Sequence, residues 1–285
     1  MQISSLFKSN LVRILLIGAL AVGVVLASSA LLPPGCDWEG NYRRASLAMF
    51  SGKSPYMVEP FFAPPWSLLP LLPFSILPVS IGRTALFWVS LITLAFTAYR
   101  LGARPLGVAI FILSPPVMHG LLNANIEWIP LLGFVLPPQV GLLLVTAKPQ
   151  TGFAVALFWI AQAWRKGGVR EILRISWPLL ITFLLSLLLY GPWPLRLREV
   201  MPIAKDFNAS FWPYTLPVGG ALIMASLRKR EIRWAMGASP CLSPYVLFHT
   251  WSAALVAIVP ATTELFVSVL GLWVLVALHA FSGVS

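Results

Sequence analysis

Apolar residues in this chain come in long unbroken runs, not in the alternating or every-third-or-fourth spacing of a half-exposed strand or helix. Ten runs stand out, at about 14–32, 66–79, 84–99, 106–122, 128–146, 151–164, 175–190, 213–227, 245–259 and 265–281. A bilayer core takes about 20 mostly apolar residues per helical crossing, so the pattern predicts an all-α polytopic membrane protein with about ten transmembrane helices, in the range nine to eleven. Several runs fall short of a full crossing, and Pro70, Pro73, Pro115, Pro116, Pro137 and Pro138 interrupt them. Proline removes a backbone donor, so short or broken helices are expected; they are tolerated where they line a protein-filled or wet cavity, although proline is also commoner in membrane helices generally.

Composition agrees: 58% of residues are hydrophobic and 10% charged, against roughly 25% charged in an ordinary globular domain. One membrane domain over 1–285 is expected, in the cytoplasmic membrane or an equivalent one. The net charge of +11 would fit nucleic acid, but Lys and Arg collect in short runs between apolar segments, as the positive-inside bias requires, so no nucleic-acid partner is expected. Loops 165–174 and 228–234 carry the densest basic runs and are expected in the cytoplasm. Counting crossings back from Arg165 puts the N-terminus inside, Lys148 and loop 33–65 outside, and Asn123, Asn125 and Glu127 on the inner side. The run 14–32 has the shape of a signal peptide or a first membrane helix, and the many runs after it favour a retained helix. Cys36 and Cys241 are the only cysteines, too few for a disulfide framework or a metal cluster.

The outer loop holds the most informative stretch. Asp37 follows Pro33-Pro34-Gly35 where a helix N-cap belongs, and Gly52 marks the stop. Between them Trp38, Tyr42, Ala45 and Met49 form an apolar stripe beside a polar face of Asp37, Asn41 and Arg44, which predicts an amphipathic helix lying in the membrane interface. Locally, Asp37 reads as a cap. Arg43 and Arg44 suit anionic membrane lipids as well as a phosphate or sugar ligand. Lys148, between apolar segments, needs either an anionic partner or a route for its ammonium to the headgroups. His249 lies in an apolar run where its ring needs a partner. Asp206 is the other aspartate. Asp37 and Glu39 form an Asp-x-Glu pair that leaves a divalent cation open, yet two acids without further ligands specify no metal, so no cofactor is predicted.

The order Asp37, Trp38, Tyr42, small residues, Gly52, Pro55-Tyr56, then Phe61-x-x-Pro64-Pro65-Trp66 and an apolar helix ending at Pro78 resembles the first outer loop and second helix of C-type membrane glycosyltransferases, above all glycosyltransferase family 87. Gly120-Leu-Leu-Asn123, Ala147-Lys148-Pro149-Gln150 and Ser243-Pro244-Tyr245 followed by His249 are similar to later pieces of that family, in the same order. The resemblance implies an inverting transfer of a hexose, mannose in the related enzymes, from a polyprenyl-phosphate sugar donor to a hydroxyl of a glycan or lipid acceptor at the outer face. It implies Asp37 as general base and His249 as a second catalytic residue, with Lys148, Tyr42, Arg43, Arg44, Glu39, Asn123 and Tyr245 around the substrate. Transfer needs a base within reach of the nucleophile and positive groups on the leaving phosphate, which these residue types supply. The chain departs from the family in being short and in lacking an Asp-x-Asp pair. Two other functions remain open at this stage: a non-catalytic relative that binds or translocates a lipid-linked substrate, and a structural subunit of a membrane complex.

Overall fold

The computed structural model describes residues 2–59, 61–199 and 207–281, and among them every regular element is helical. The chain begins with α1 (Gln2–Ser28). A wide turn of π-helix, Trp38–Tyr42, then leads into α2 (Arg43–Phe50), and the short α3 (Leu72–Ser75) precedes α4 (Val79–Arg100). Next come α5 (Pro105–Ile112), α6 (Pro115–Asn123), α7 (Trp128–Gly133), α8 (Pro138–Val145) and α9 (Pro149–Tyr190). The last four are α10 (Leu216–Lys229), α11 (Ile232–Leu242), α12 (Ser252–Ala257) and α13 (Thr262–Phe281).

Among the described residues three helices are long and apolar enough to cross a membrane, α4, α9 and α13; α5 and α6, bent 60° from one another, make a fourth if they form one span. The ten predicted crossings are therefore not seen, and proline is the main reason. Pro105, Pro115, Pro138 and Pro149 each stand in the first turn of a new helix, where the missing N–H costs nothing and the ring blocks continuation backwards. The runs at 106–122 and 128–146 are each cut in two. Runs 66–79 and 245–259 become 3₁₀ turns, Pro65–Leu71 and Phe248–Trp251, each followed by a short helix. Runs 151–164 and 175–190 remain two helical stretches of α9, divided inside the expected loop 165–174 by Gly167 and Gly168, whose backbone angles are non-helical. The loop expected at 228–234 is also shorter than predicted, because Arg228 and Lys229 close α10 and α11 begins at Ile232.

The two basic runs nevertheless meet at one end of the protein, where Arg165 Nη1 donates to the Leu227 carbonyl at 2.7 Å. The short helices and the first turns of α9 are the buried part. Leu131, Leu142, Val145, Ala154, Val155 and Met236 are wholly or almost wholly inaccessible, whereas the later residues of α9 and those of α13, such as Leu184, Leu188, Val267 and Leu278, are exposed. That is the reverse of a soluble helix and suits lipid contact.

The interfacial segment folds against this core. Trp38 is fully buried and donates its indole N–H to the Val79 carbonyl at 3.3 Å; Tyr42 and Ala45 are buried beside it, so the predicted apolar stripe faces inward. Gly52 ends the segment with φ of +72°, a backbone conformation that glycine adopts without strain.

Candidate functional site

Asp37 does not cap the helix. Its residue has helical backbone angles and makes no capping hydrogen bond; its Oδ2 instead accepts from Asn125 Nδ2 at 2.6 Å, 88 residues away. Asn125 is held there by the end of α6. Ala124 takes a left-handed conformation (φ 55°), and the Asn125 N–H closes a wide turn onto the Gly120 carbonyl at 2.9 Å, the geometry of a Schellman stop. Arg83 Nη2 seals the same helix end by donating to the Leu121 and Leu122 carbonyls at 3.0 and 2.7 Å.

From Asn125 the network runs inward. The amide oxygen accepts from Lys148 Nζ at 2.8 Å, and the same ammonium pairs with Glu127 Oε1 at 2.5 Å. Glu127 also accepts from Thr151 at 2.8 Å and Thr250 at 3.0 Å. Both charges are almost inaccessible, 4% exposed in each case, and burial of this kind is tolerable only when charge and lone pairs are all met. The side of the amide is fixed by its neighbours: oxygen toward the ammonium, N–H toward the carboxylate.

His249 lies at the other edge of this centre. Its Nε2 is 3.8 Å from Glu127 Oε1, and its Nδ1 is 3.3 Å from Nδ1 of His119, with the two rings stacked at 5.5 Å. A side chain at Gly120 would crowd the His249 Cβ, at 3.2 Å, so glycine there admits the close approach. Burial pushes the His249 ring well below the ordinary histidine range, and the Lys148 charge and His119 add to this. The ring is neutral near pH 7. Burial and then the Asp37 charge raise the Tyr245 phenol to about 12; Tyr42 is pushed up more strongly, by burial first and then by Asp37 and Glu127. Both phenols stay protonated and able to donate.

The structure therefore brings together Asp37, Tyr42, Lys148, Tyr245 and His249 from three separate stretches of chain. It leaves others aside. Asn123 bonds back to the His119 carbonyl within its own helix. Arg43 Nη2 donates to the Leu77 carbonyl at 3.3 Å, and Arg44 is exposed on the helix surface. Glu39 is exposed and lines a groove to which Asp37 does not contribute. Asp206 lies outside the described residues.

One sequence expectation changes. The crossing count sets Asn125 and Glu127 on the opposite side from Asp37, but Asn125 bonds directly to Asp37; α5 to α8 are too short to cross singly, so the count does not carry across them. The anionic partner that Lys148 needs in an apolar setting is present within the chain as Glu127. Sequence reasoning also passed over His119 and the two threonines; a glutamate in an apolar stretch with a lysine about 20 residues on was the available signal for the pair. Among the described residues no group of three or more His, Cys, Asp or Glu is arranged to hold a metal.

No family model, curated protein or solved structure matches this chain.

Proposed function

We propose that this chain is an integral-membrane glycosyltransferase of C-type architecture that moves a hexose from a polyprenyl-phosphate sugar to an acceptor hydroxyl at the outer face of the cell membrane. The carrying observation is the environment of Asp37: a half-buried carboxylate oriented through Asn125 by a buried Lys148–Glu127 pair, with protonated Tyr42 and Tyr245 beside it. Such an arrangement supports general-base catalysis, which needs a positioned acceptor of a proton rather than a mobile one. In the proposed step Asp37 takes the proton from the acceptor hydroxyl as its oxygen bonds to the anomeric carbon. The bond from that carbon to the phosphate oxygen breaks, the polyprenyl phosphate leaves with the electron pair, and the anomeric centre inverts. Lys148 acts through Asn125 as a positioning residue, and the half-buried Tyr245 phenol is the donor available to the leaving phosphate.

Transfer of radiolabelled hexose from a polyprenyl phosphate to a mixed glycolipid acceptor, with the chain in proteoliposomes, tests this. Asp37→Asn keeps the hydrogen-bonding shape and is expected to lower the rate by about 10²–10⁴, the usual contribution of an acid–base group, with thermal stability little changed. Undiminished transfer by that variant would refute the assignment. The full neutralisation of Lys148 by Glu127 favours one alternative, a chain that binds lipid-linked substrate without turnover; it predicts retained polyprenyl lipid and no transfer by the unaltered protein.

A further inference from the structure

A second polar feature lies on the other side of the Gly35–Glu39 stretch. Between the end of α1, the Pro33-Pro34 turn and the start of α4 there is a groove of about 300 Å³, lined by Ser29, Leu32, Glu39, Ser80, Arg83 and Thr84 among others. That volume is at the lower end of the range for small-molecule sites, about 300–1,000 Å³.

Arg83 is the unusual component. It is 2% exposed, and among the described residues no carboxylate lies within 4 Å of it. Only Nη2 makes hydrogen bonds, to the two carbonyls that end α6; the guanidinium also stands 5.9 Å from the centroid of the Phe87 ring, and Nε and Nη1 are buried without a hydrogen-bond partner. A buried guanidinium with two idle donors is costly unless an anion meets it. The second contribution is the start of α4 itself. Pro78 precedes it and supplies no side-chain cap, so the first amides of a 22-residue helix point at the groove wall formed by Val79 and Ser80 with the positive end of the helix dipole behind them. The hydroxyl of Ser80 adds a further donor to the lining, whereas that of Ser29 donates to the Leu26 carbonyl at 2.8 Å.

We infer that this groove is an anion site for a phosphate group, separate from the Asp37 centre, and that the phosphate is the headgroup of a membrane lipid. The source follows from the walls. Leu32, Pro33, Pro34 and Val79 are apolar, α1 packs along α4, and exposed Leu20, Leu26 and Ile92 on these helices extend an apolar surface below. An acyl chain running along that surface brings its phosphate to the level of Arg83. Glu39 lines the groove as an opposing charge, which lowers affinity and is not a ligand. The inference does not rest on the transferase reading, because Asp37 does not line the groove.

Native mass spectrometry of the full chain in detergent, supplied with dioleoyl phosphatidate or with diolein, tests it; the two lipids differ by the phosphate. Retention of phosphatidate over diolein is expected. Ser80→Trp, which fills the groove from an exposed position without touching Arg83, is expected to weaken retention by about tenfold, and Arg83→Gln by at least as much where it folds, the loss of one charge-assisted hydrogen bond. Glu39→Gln is expected to tighten it. Inorganic phosphate that displaces phosphatidate shows that the groove takes the phosphate group from a soluble source also; failure to displace it assigns the site to lipid alone. Equal retention of the two lipids, or retention unaffected by Ser80→Trp, overturns the inference. So does a Glu39→Gln variant that is less stable and binds no tighter, since Glu39 would then be the counter-ion of Arg83.

Discussion

Lys148 and Arg83 are both buried cations, and their surroundings are opposite. Lys148 has a glutamate, an asparagine and, through the glutamate, two threonines. Arg83 has two carbonyl oxygens and no acid within pairing distance among the described residues. The first is closed electrostatically and can only orient its neighbours. The second is open and can receive something. A cation in an apolar sequence thus does not announce a ligand site by its burial alone; the inventory of its partners decides.

The contrast is most exposed to failure at the closed pair. Glu127→Gln or Lys148→Met alone is expected to lower unfolding stability in detergent by about 3–5 kcal/mol, because each leaves an uncompensated buried charge, while the two together cost less than their sum. Single variants indistinguishable from the unaltered chain would mean that the pair is not buried. Arg83→Met removes a charge that had no carboxylate to strand, so its loss is limited to the capping of Leu121 and Leu122, about 1–3 kcal/mol by the same thermal measurement. A loss as large as that of Lys148→Met would erase the distinction between the two regions.

A smaller effect is expected from pH. The His249 ring in the folded protein titrates well below its ordinary value, by burial first and then by Lys148 and His119. Below about pH 6.5 the unfolded chain binds a proton that the folded one refuses. Stability therefore rises with pH in that window and falls on acidification, with a slope of at most about 1.4 kcal/mol per pH unit for this one group. His249→Phe is expected to flatten the slope between about pH 4 and 6.5. An unchanged slope would place His249 in contact with water.

Much of the architecture was legible in the sequence where hydrophobic pattern acts alone. The apolar runs at 84–99 and 265–281 are the cores of α4 and α13, and the stripe Trp38, Tyr42, Ala45 does bury one face of the interfacial segment. Legibility failed where prolines reset the helices. Nothing in composition distinguishes one bent crossing from two half-helices, so a crossing count that sets Glu127 and Asp37 on opposite sides does not hold across α5 to α8. At the site, Asp37 was visible as a carboxylate at the start of an amphipathic segment, but its partner Asn125 was not, because their contact spans 88 residues and depends on the left-handed turn at Ala124. Arg83 went unremarked because one arginine near the start of an apolar helix looks like a headgroup anchor. Its burial under Gly35, where a Cβ would sit 2.5 Å from the arginine Nε, exists only in three dimensions.

The central claim is that Asp37 is placed by the buried Lys148–Glu127 pair through Asn125. A double-mutant cycle with Asp37→Asn and Lys148→Met, read as unfolding free energy of the purified chain, measures this without requiring substrate. The network predicts a coupling between the two residues of about 0.5–3 kcal/mol; additive effects, with coupling indistinguishable from zero, would contradict it.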